Sequence, residues 1–379
     1  MKRKPDKIVY TVILLLLIVL GIPTVKLYFS QRGLRWLYIL FFSFSLSVIL
    51  TPIMRSIARR AEIVDYPQER KIHSAPTPLM GGLAVYLAFV VAILTNLIFT
   101  KELIAILVGS SIIMCIGLID DIKVVPATLK LLVQLSATFI VIYSGIGLTI
   151  FPQNTLTLIV NNLITIIWII GITNAMNFFD GMDGLSAGMS LIIASFLGIV
   201  AFQTNHPFVG WVSIAIVGTC SGFLPYNFKL NKPATIFLGD AGSTFLGFTL
   251  ACLAIMGEWA DNNPFVSLTA PLLIFWILIF DMIHITIMRI SAKKVTNIKE
   301  WIDYAGKDHL HHRLEALFLN KKLSVIFIYF MCICLGITAV VLRDARTIDA
   351  LLLLLQAVII VIIISVLERA GQRRERRKG

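Results

Sequence analysis

The sequence predicts an all-α, polytopic membrane protein with about eleven to twelve transmembrane helices. Hydrophobic residues make up 58% of the 379 residues, only 14% are charged, and the mean hydropathy is +0.89. A soluble domain would carry roughly 25% charged residues. Uninterrupted apolar runs of about 17 or more residues indicate spanning helices, whereas the strands of a membrane barrel are shorter and alternate in polarity.

Twelve apolar segments are candidates for these spans, and each is close to or above the roughly 17 residues that cross a bilayer. An even number of spans places both chain termini on the same side of the membrane. The predicted spans are 8–28, 34–56, 79–99, 102–119, 129–149, 156–175, 185–204, 209–228, 242–257, 264–288, 323–342 and 349–367.

The chain reads as one integral membrane domain over residues 1–379, without a clear repeat or a soluble domain. Its core is predicted at about 34–342, preceded by an extra N-terminal helix at 8–28 and followed by a C-terminal helix at 349–367 with a basic tail. The basic start and apolar stretch are similar to a signal peptide. No small-x-small cleavage site precedes Pro23, so we expect an uncleaved first span.

The distribution of Lys and Arg predicts the orientation. Of these 33 residues, 27 fall in the segments that share a side with the N-terminus, and 6 fall on the other side. The positive-inside rule therefore puts both termini in the cytoplasm of a multi-pass protein of the plasma (inner) membrane. The net charge of +12 follows from this topology and from attraction to anionic membrane lipid, so no nucleic-acid partner is needed.

The cysteines do not indicate a disulfide or zinc framework. All five lie in apolar runs and no Cys-x-x-Cys pair occurs. They are predicted to be packing residues.

A polar cluster between two apolar runs is the strongest sign of function. Asn174, Asn177, Asp180 and Asp183 stand where the span at 156–175 ends, with two glycines among them. Polar groups at a span end need water, a cation or a ligand. Carboxylate and amide oxygens suit Mg²⁺ beside a phosphate, although an acidic turn between helices is the simpler alternative.

Two more loops on the same side carry acidic groups. Asp120 and Asp121 are adjacent like charges at a span end, and Lys123 or Lys130 could neutralise them; a solvated charged loop is the alternative. Asp240 opens the span at 242–257. Free N–H groups at a helix start favour phosphate and Asp240 would hold a metal, although the segment could equally be a capping motif.

The loop before the span at 323–342 contains His309, His311, His312 and Arg313. Three imidazoles and a guanidinium within five residues suit the phosphates or sugar of an anionic substrate, and no cysteine lies nearby to complete a zinc site. Asp281, near the cytoplasmic end of its span, has His284 one turn later. This pair is either functional or a buried hydrogen bond that steadies the loop.

Together these motifs resemble the polyprenyl-phosphate N-acetylhexosamine-1-phosphate transferases of glycosyltransferase family 4, over about residues 34–367. The His-Leu-His-His form is more similar to the UDP-N-acetylglucosamine (UDP-GlcNAc) branch than to the muramoyl-pentapeptide branch, which has three consecutive histidines. The chain departs from the family pattern in its extra first helix and in the position of Lys123, two residues after the Asp pair. The motifs are Asp120-Asp121, Asn174-x-x-Asn177-x-x-Asp180-Gly-x-Asp183-Gly-Leu, Phe237-x-Gly-Asp240-x-Gly-Ser and His309-x-His311-His312.

The resemblance implies transfer of N-acetylglucosamine-1-phosphate from UDP-GlcNAc to undecaprenyl phosphate at a cytoplasmic-face active site, with release of UMP. It implies Asn177 and Asp240 as ligands of Mg²⁺, for which Mn²⁺ could substitute. It implies Asp120, Asp121 and Lys130 as catalytic residues, with Lys130 favoured over Lys123. The substrate-binding set it implies is Lys71, His73, Asn174, Asp180, Asp183, Asn227, Phe237, His309, His311, His312 and Arg313.

The sequence leaves alternatives for the donor sugar, the mechanism and the class of protein. The same reaction could use another UDP-N-acetylhexosamine, such as UDP-MurNAc-pentapeptide or UDP-GalNAc, and it could pass through an aspartyl-phosphate. A twelve-span transporter would place charged residues near the bilayer midplane, and an intramembrane prenyltransferase would need two Asp-x-x-x-Asp clusters. A homodimer is compatible with the exposed apolar faces of the spans.

Overall fold

The computed structural model describes residues 5–66, 76–152, 154–257, 259, 264–297, 300, 306, 308–342 and 345–376. This part of the chain is almost entirely helical, which confirms the predicted all-α class. One two-stranded antiparallel sheet pairs β1 (Val64–Asp65) with β2 (Thr77–Pro78). The helices are α1 Pro5–Leu20, α2 Pro23–Gln31, α3 Arg35–Arg60, α4 Gly81–Thr95, α5 Lys101–Ile122, α6 Ala127–Tyr143, α7 Thr155–Phe178, α8 Leu185–Gln203, α9 Pro207–Asn227, α10 Gly239–Met256, α11 Pro264–Ile274, α12 Trp276–Ser291, α13 Leu310–Phe318, α14 Lys321–Val341 and α15 Thr347–Arg376.

The helices coincide with the twelve predicted spans. Among the described residues, eight helices are long and apolar enough to cross a membrane, and two bent pairs, α1–α2 and α11–α12, bring the number to ten. The remaining two predicted spans correspond to α4 and α6, which are apolar but shorter. The chain is therefore a multi-pass membrane protein.

Two spans predicted as continuous helices are broken. The segment at 8–28 bends by 75° between α1 and α2, where Pro23 starts a new helix and has no N–H to continue the old one. The segment at 264–288 bends by 79° at Phe275, one turn after Pro271. Hydropathy is continuous across both breaks, so it could not reveal them.

The core is organised around α10, which is buried along nearly its whole length and packs against α4, α5 and α7. Small residues make the close approach possible. A Cβ added at Gly82 would lie 2.3 Å from the backbone nitrogen of Gly242, and one at Gly117 would lie 2.5 Å from the Cα of Ala241. Helix association in membranes depends on such contacts, because lipid supplies no hydrophobic driving force between helices.

The same packing brings several helix ends together. The first turn of α10 meets the last turns of α5 and α7, and the first turn of α6 lies beside them. The polar residues of three sequence motifs lie on these turns. One end of the bundle, called the site end below, therefore collects them.

Candidate active site

The N-terminus of α10 holds two carboxylates from other parts of the chain. The carboxylate of Asp121 accepts hydrogen bonds from the N–H groups of Asp240 (2.8 Å) and Ala241 (3.3 Å). The N–H of Gly239 donates to Asp180. Gly239 has a φ of +77°, and a Cβ there would lie 2.5 Å from an oxygen of Asp121, so glycine is required at this position. The sequence predicted that free N–H groups at this helix start would favour phosphate. In the structure these three N–H groups are already bonded to protein carboxylates.

Lys130 bridges the two acidic motifs. Its Nζ lies 2.7 Å from Oδ2 of Asp120 and 3.2 Å from Oδ2 of Asp240. The other oxygen of Asp120 accepts the N–H of Val125 at 2.6 Å, which ties the loop after α5 to the same carboxylate. Lys123, in contrast, is exposed at the end of α5. The structure therefore brings Lys130 to the acidic group.

Asn177 joins this group from the last turn of α7. Its Nδ2 donates to Oγ of Ser243 at 3.0 Å, and its side chain also hydrogen-bonds the carboxylate of Asp240. Among the described residues no group of three or more His, Cys, Asp or Glu side chains could hold a metal ion. Mg²⁺ in phosphate-processing sites commonly takes one or two protein oxygens and completes its shell with phosphate and water. Asp240 and Asn177 fit that donor set.

Asp180 is electrostatically crowded. Burial, followed by repulsion from Asp240 and Asp121, raises the pKa of Asp180 well above its ordinary value, and the bond from Gly239 only partly opposes this. Carboxylates gathered this closely need positive charge. Lys130 supplies one cation at this point, and the excess of carboxylates favours binding of another.

The histidine motif is anchored by a buried acid on α12. Asp281 is fully buried; its Oδ2 accepts from Nδ1 of His309 at 2.8 Å, and its Oδ1 accepts the N–H of Leu310 at 2.8 Å and Nη2 of Arg313 at 3.3 Å. Nη1 of Arg313 also lies 2.9 Å from His284. Asp281 and His284 thus both contact Arg313. One interpretation of the sequence was a hydrogen bond between Asp281 and His284, and it did not include Arg313.

His311 faces the turn that follows α7. It is 1% exposed, and neither ring nitrogen has a hydrogen-bond partner within the described part of the chain. A Cβ added at Gly181 would lie 2.7 Å from its Nε2, and its ring packs against Phe179 and His312 at centroid distances of 5.4 and 4.2 Å. Burial, followed by the positive charges of its neighbours, lowers the pKa of His311 well below its ordinary value. A neutral imidazole with both nitrogens unsatisfied is therefore held beside Gly181.

Three residues that are predicted to bind substrate also have protein partners. The amide of Asn174 exchanges hydrogen bonds with Gln134, at 2.9 and 3.2 Å. Asp183 accepts the N–H of Ala234 at 2.9 Å. Asn227 is buried and uses both ends of its amide, accepting from Gly184 at 2.9 Å and donating to Ile236 at 3.0 Å.

Asn227 thus supports the walls of the site, as does the amide of Asn174, and the contact of each with substrate stays a prediction. Phe237 is half-buried, and its backbone bonds Pro78 and Gly81, which places it between the sheet and α4. Lys71 and His73 lie outside the described residues. His312 is half-buried beside Glu315, at 3.7 Å.

The structure adds residues that the motifs did not single out. Gln134 lies one turn after Lys130 on α6. A polar side chain at this spacing in an otherwise apolar run could have indicated that Gln134 lies on the same helix face as Lys130. Arg289 forms a two-point ion pair with Asp308, at 2.8 and 2.9 Å, and fixes the start of the histidine segment to α12. Burial raises the pKa of Asp308, but Arg289 outweighs this and lowers it below its ordinary value. An arginine at a span end is common in membrane proteins, so the sequence did not single out Arg289.

The fold and this site define a membrane-embedded enzyme whose polar groups meet at one end of a helix bundle and suit phosphorylated substrates. The sequence model described as Glycosyl transferase family 4 matches residues 103–258. The chain is 35% identical over 322 residues to a Bacillus subtilis protein named probable undecaprenyl-phosphate N-acetylglucosaminyl 1-phosphate transferase, covering 83% of this chain and 87% of that protein. It belongs to glycosyl transferase family 4, as its motifs predicted.

Two further relatives have related names. The chain is 30% identical over 341 residues to the decaprenyl-phosphate N-acetylglucosaminephosphotransferase of Mycobacterium leprae, covering 80% of this chain and 83% of that protein. It is 33% identical over 285 residues to the phospho-N-acetylmuramoyl-pentapeptide-transferase of Caldicellulosiruptor bescii, covering 68% and 81%. The three names share transfer of a phosphorylated N-acetylated sugar, and the first two also name the polyprenyl phosphate.

Proposed function

We propose that this enzyme transfers N-acetylglucosamine-1-phosphate from UDP-GlcNAc to undecaprenyl phosphate, releases UMP, and so starts a lipid-linked cell-surface glycan. The observation that carries the proposal is the meeting, at one end of a membrane bundle, of the Asp120–Lys130–Asp240 group with the unsatisfied imidazole of His311. One reactant is a lipid and the other is water-soluble. A polar site at the mouth of a membrane bundle is accessible to both.

The reaction is a displacement at phosphorus. An oxygen of the lipid phosphate forms a bond to the β-phosphorus of UDP-GlcNAc, while the bond from that phosphorus to the bridging oxygen breaks and UMP leaves with the electron pair. A phosphate monoester has a second pKa of about 6, so the lipid phosphate is largely dianionic at neutral pH and needs little general base. Positioning and charge neutralisation then supply most of the catalysis.

The contacts of the Asp pair support direct displacement over an aspartyl-phosphate. Asp121 is bonded to two N–H groups of α10, and Asp120 is bonded to Val125 and Lys130. A carboxylate nucleophile would have to leave these partners before it attacked. We therefore assign Asp121 the role of holding α10 in place, and Asp120 the role of orienting Lys130.

Mg²⁺ is the proposed cofactor, with Mn²⁺ as a substitute, and Asp240 and Asn177 are the residues that would hold it. When bound, it would neutralise charge on the pyrophosphate and orient it. Support comes from the crowding of carboxylates around Asp180, where Lys130 is one cation among several acids. Lys130 itself would stabilise phosphate oxygens, and His311 would hydrogen-bond the sugar nucleotide.

UDP-MurNAc-pentapeptide is the second candidate donor, because the C. bescii relative carries a muramoyl-pentapeptide name. The residue between His309 and His311 favours UDP-GlcNAc. Leu310 is 1% exposed and its N–H is bonded to Asp281, so the position between the two histidines is filled by an apolar side chain rather than by another imidazole.

We place the site on the cytoplasmic face of the plasma membrane. The support is the excess of Lys and Arg in segments at the site end, which the positive-inside rule assigns to the cytoplasm. UDP-sugars would then reach Lys130 and His311 from the compartment that makes them.

The test uses purified full-length protein in lipid nanodiscs, radiolabelled UDP-GlcNAc and undecaprenyl phosphate. We expect label in the lipid fraction and one UMP for each lipid product, loss of both with EDTA, and recovery with Mg²⁺. A panel of UDP-N-acetylhexosamines run in parallel identifies the preferred donor. Absence of lipid-linked label with every donor of the panel would refute the proposed function.

A further inference from the structure

The histidine segment, residues 308–313, forms hydrogen bonds and ion pairs with polar side chains of α12. Asp281 contacts three groups of this segment, as described above: the ring of His309, the first N–H of α13 at Leu310, and the guanidinium of Arg313. His309 precedes α13, Leu310 is its first residue, and Arg313 stands at the end of its first turn. One carboxylate therefore determines both where α13 starts and which way its first turn faces.

The position of His311 depends on that anchor. His311 is the second residue of α13, and its own ring nitrogens make no hydrogen bond within the described part of the chain. Its ring packs against Phe179, His312 and His309. With no hydrogen bond to orient the ring, the position of the α13 backbone determines whether the ring is directed toward Gly181.

The ring of His309 adds a second path from Asp281 to the same place. Its Nδ1–H donates to the carboxylate, which fixes both the ring orientation and the tautomer. The ring then stacks on Phe178 at 5.0 Å and on His311 at 5.9 Å. The rings of His309 and His311 are thus packed in defined positions against the end of α7, where Asn177 lies.

We propose that Asp281 is a positioning residue for the sugar-nucleotide site, which holds His309, the start of α13 and Arg313 together so that His311 stays directed at the Asp180–Gly181 turn. Asp281 itself does not contact the reacting groups. The identity of the ligand in this proposal rests on the proposed function.

A contribution to stability alone does not account for this arrangement. A buried ion pair between Asp281 and Arg313 is by itself weak evidence for stability, because desolvation offsets the attraction. Asp281 spreads its two oxygens over a ring, a backbone N–H and a guanidinium, which is the pattern of a group that orients its neighbours. The ion pair of Arg289 with Asp308 anchors the same segment one step upstream.

The test compares wild type with Asp281→Asn and with a matched control, Asn161→Ala. Asn161 is also a buried polar residue that holds a loop, through two bonds to Phe151, but it lies 16 residues before Asn177 on α7, roughly 24 Å along the helix. The readouts are kcat and KM for UDP-GlcNAc, the melting temperature, and hydrogen–deuterium exchange of the peptide covering 310–318.

We expect Asp281→Asn to lower kcat/KM by about 100-fold, the scale of a small misplacement in a preorganised site, and to raise exchange in α13 selectively. Asn161→Ala should leave both unchanged at a similar loss of melting temperature. A folded Asp281→Asn protein with kcat/KM within threefold of wild type, or with unchanged exchange in α13, overturns the proposal.

A second variant covers the case in which Asp281→Asn does not fold. Asp308→Asn loosens the same segment from a partly exposed position, and we expect about a tenfold loss of kcat/KM with raised exchange in α13; unchanged values overturn the proposal. Inactive wild type with UDP-GlcNAc refutes the proposed function instead. The exchange comparison needs no substrate, so it still tests the positioning role.

Discussion

The two halves of the site are built in different ways. In the acidic half, carboxylates from α5 and from the turn after α7 bind backbone N–H groups at the start of α10, which is the most enclosed helix of the core. In the histidine half, a short helix packs against α14 and α15 and is oriented by hydrogen bonds with side chains of α12. Backbone N–H groups at a packed helix end cannot move independently, whereas side chains can. We therefore expect substitutions in the acidic half to affect chemistry and those in the histidine half to affect binding.

The largest effect is expected from Asp240→Asn, which removes the charge of the proposed metal ligand at nearly constant volume. Loss of a principal electrostatic stabiliser costs about 100-fold or more in turnover. The measurement is kcat over a range of Mg²⁺ concentrations. Near-normal turnover, with an unchanged Mg²⁺ requirement, would remove Asp240 from the metal site and weaken the contrast between the two halves.

Next comes Lys130→Met, with Lys123→Met as its matched control. Lys130 lies within 2.7 and 3.2 Å of two carboxylates, and its loss leaves them facing each other without a cation, whereas Lys123 is exposed. We expect a loss of kcat of about 30- to 100-fold for Lys130→Met, the scale of an electrostatic contact in a preorganised site. Lys123→Met should stay close to wild type, and equal losses in both variants would contradict the assignment.

In the histidine half, the test is the effect of pH on stability. The pKa of His311 is lowered well below its ordinary value in the folded protein, mainly by burial. The unfolded chain therefore binds more protons than the folded one as the pH falls below about 6.5, so stability decreases on acidification. His311→Gln should lose less melting temperature between pH 7.5 and 5.5 than wild type does.

If His311→Gln and wild type respond equally to acid, His311 does not titrate as its burial requires.

The smallest effect on turnover is expected from Asn227→Ala, which leaves the N–H of Gly184 and the carbonyl of Ile236 without their partner. Each unsatisfied buried group costs about 1–3 kcal/mol. We expect a lower melting temperature and an unchanged KM for UDP-GlcNAc. A selective rise in KM with no loss of stability would instead support the predicted contact of Asn227 with substrate.

Much of the acidic half could be predicted because charged residues at the ends of apolar runs are costly and therefore conspicuous. Asp120, Lys130 and Asp240 are brought together as that logic indicated. The protein partners of Asn174 and Asn227 could not be predicted in this way. An amide at a span end looks the same in the sequence whether it will bind a neighbouring helix, a loop or a ligand.

In the histidine half, the sequence predicted the motif but not the contacts that hold it. The motif was recognisable and Asp281 stood out as an acid near a span end, yet the contacts with α12 were not predictable, because Asp281 and Arg289 precede their partners His309 and Asp308 by 28 and 19 residues. The break at Phe275 that directs α12 is also invisible to hydropathy.

By itself the sequence determined that this chain lies in a membrane, which stretches form helices, and which polar groups stand at the helix ends. These properties depend on local composition and on the cost of placing polar atoms in hydrocarbon. Only the tertiary structure decided which of those groups bond to each other and which remain unsatisfied. Hydrogen bonds act over about 3 Å, and the partners come from helices far apart in the chain, so close packing around α10 had to bring them together.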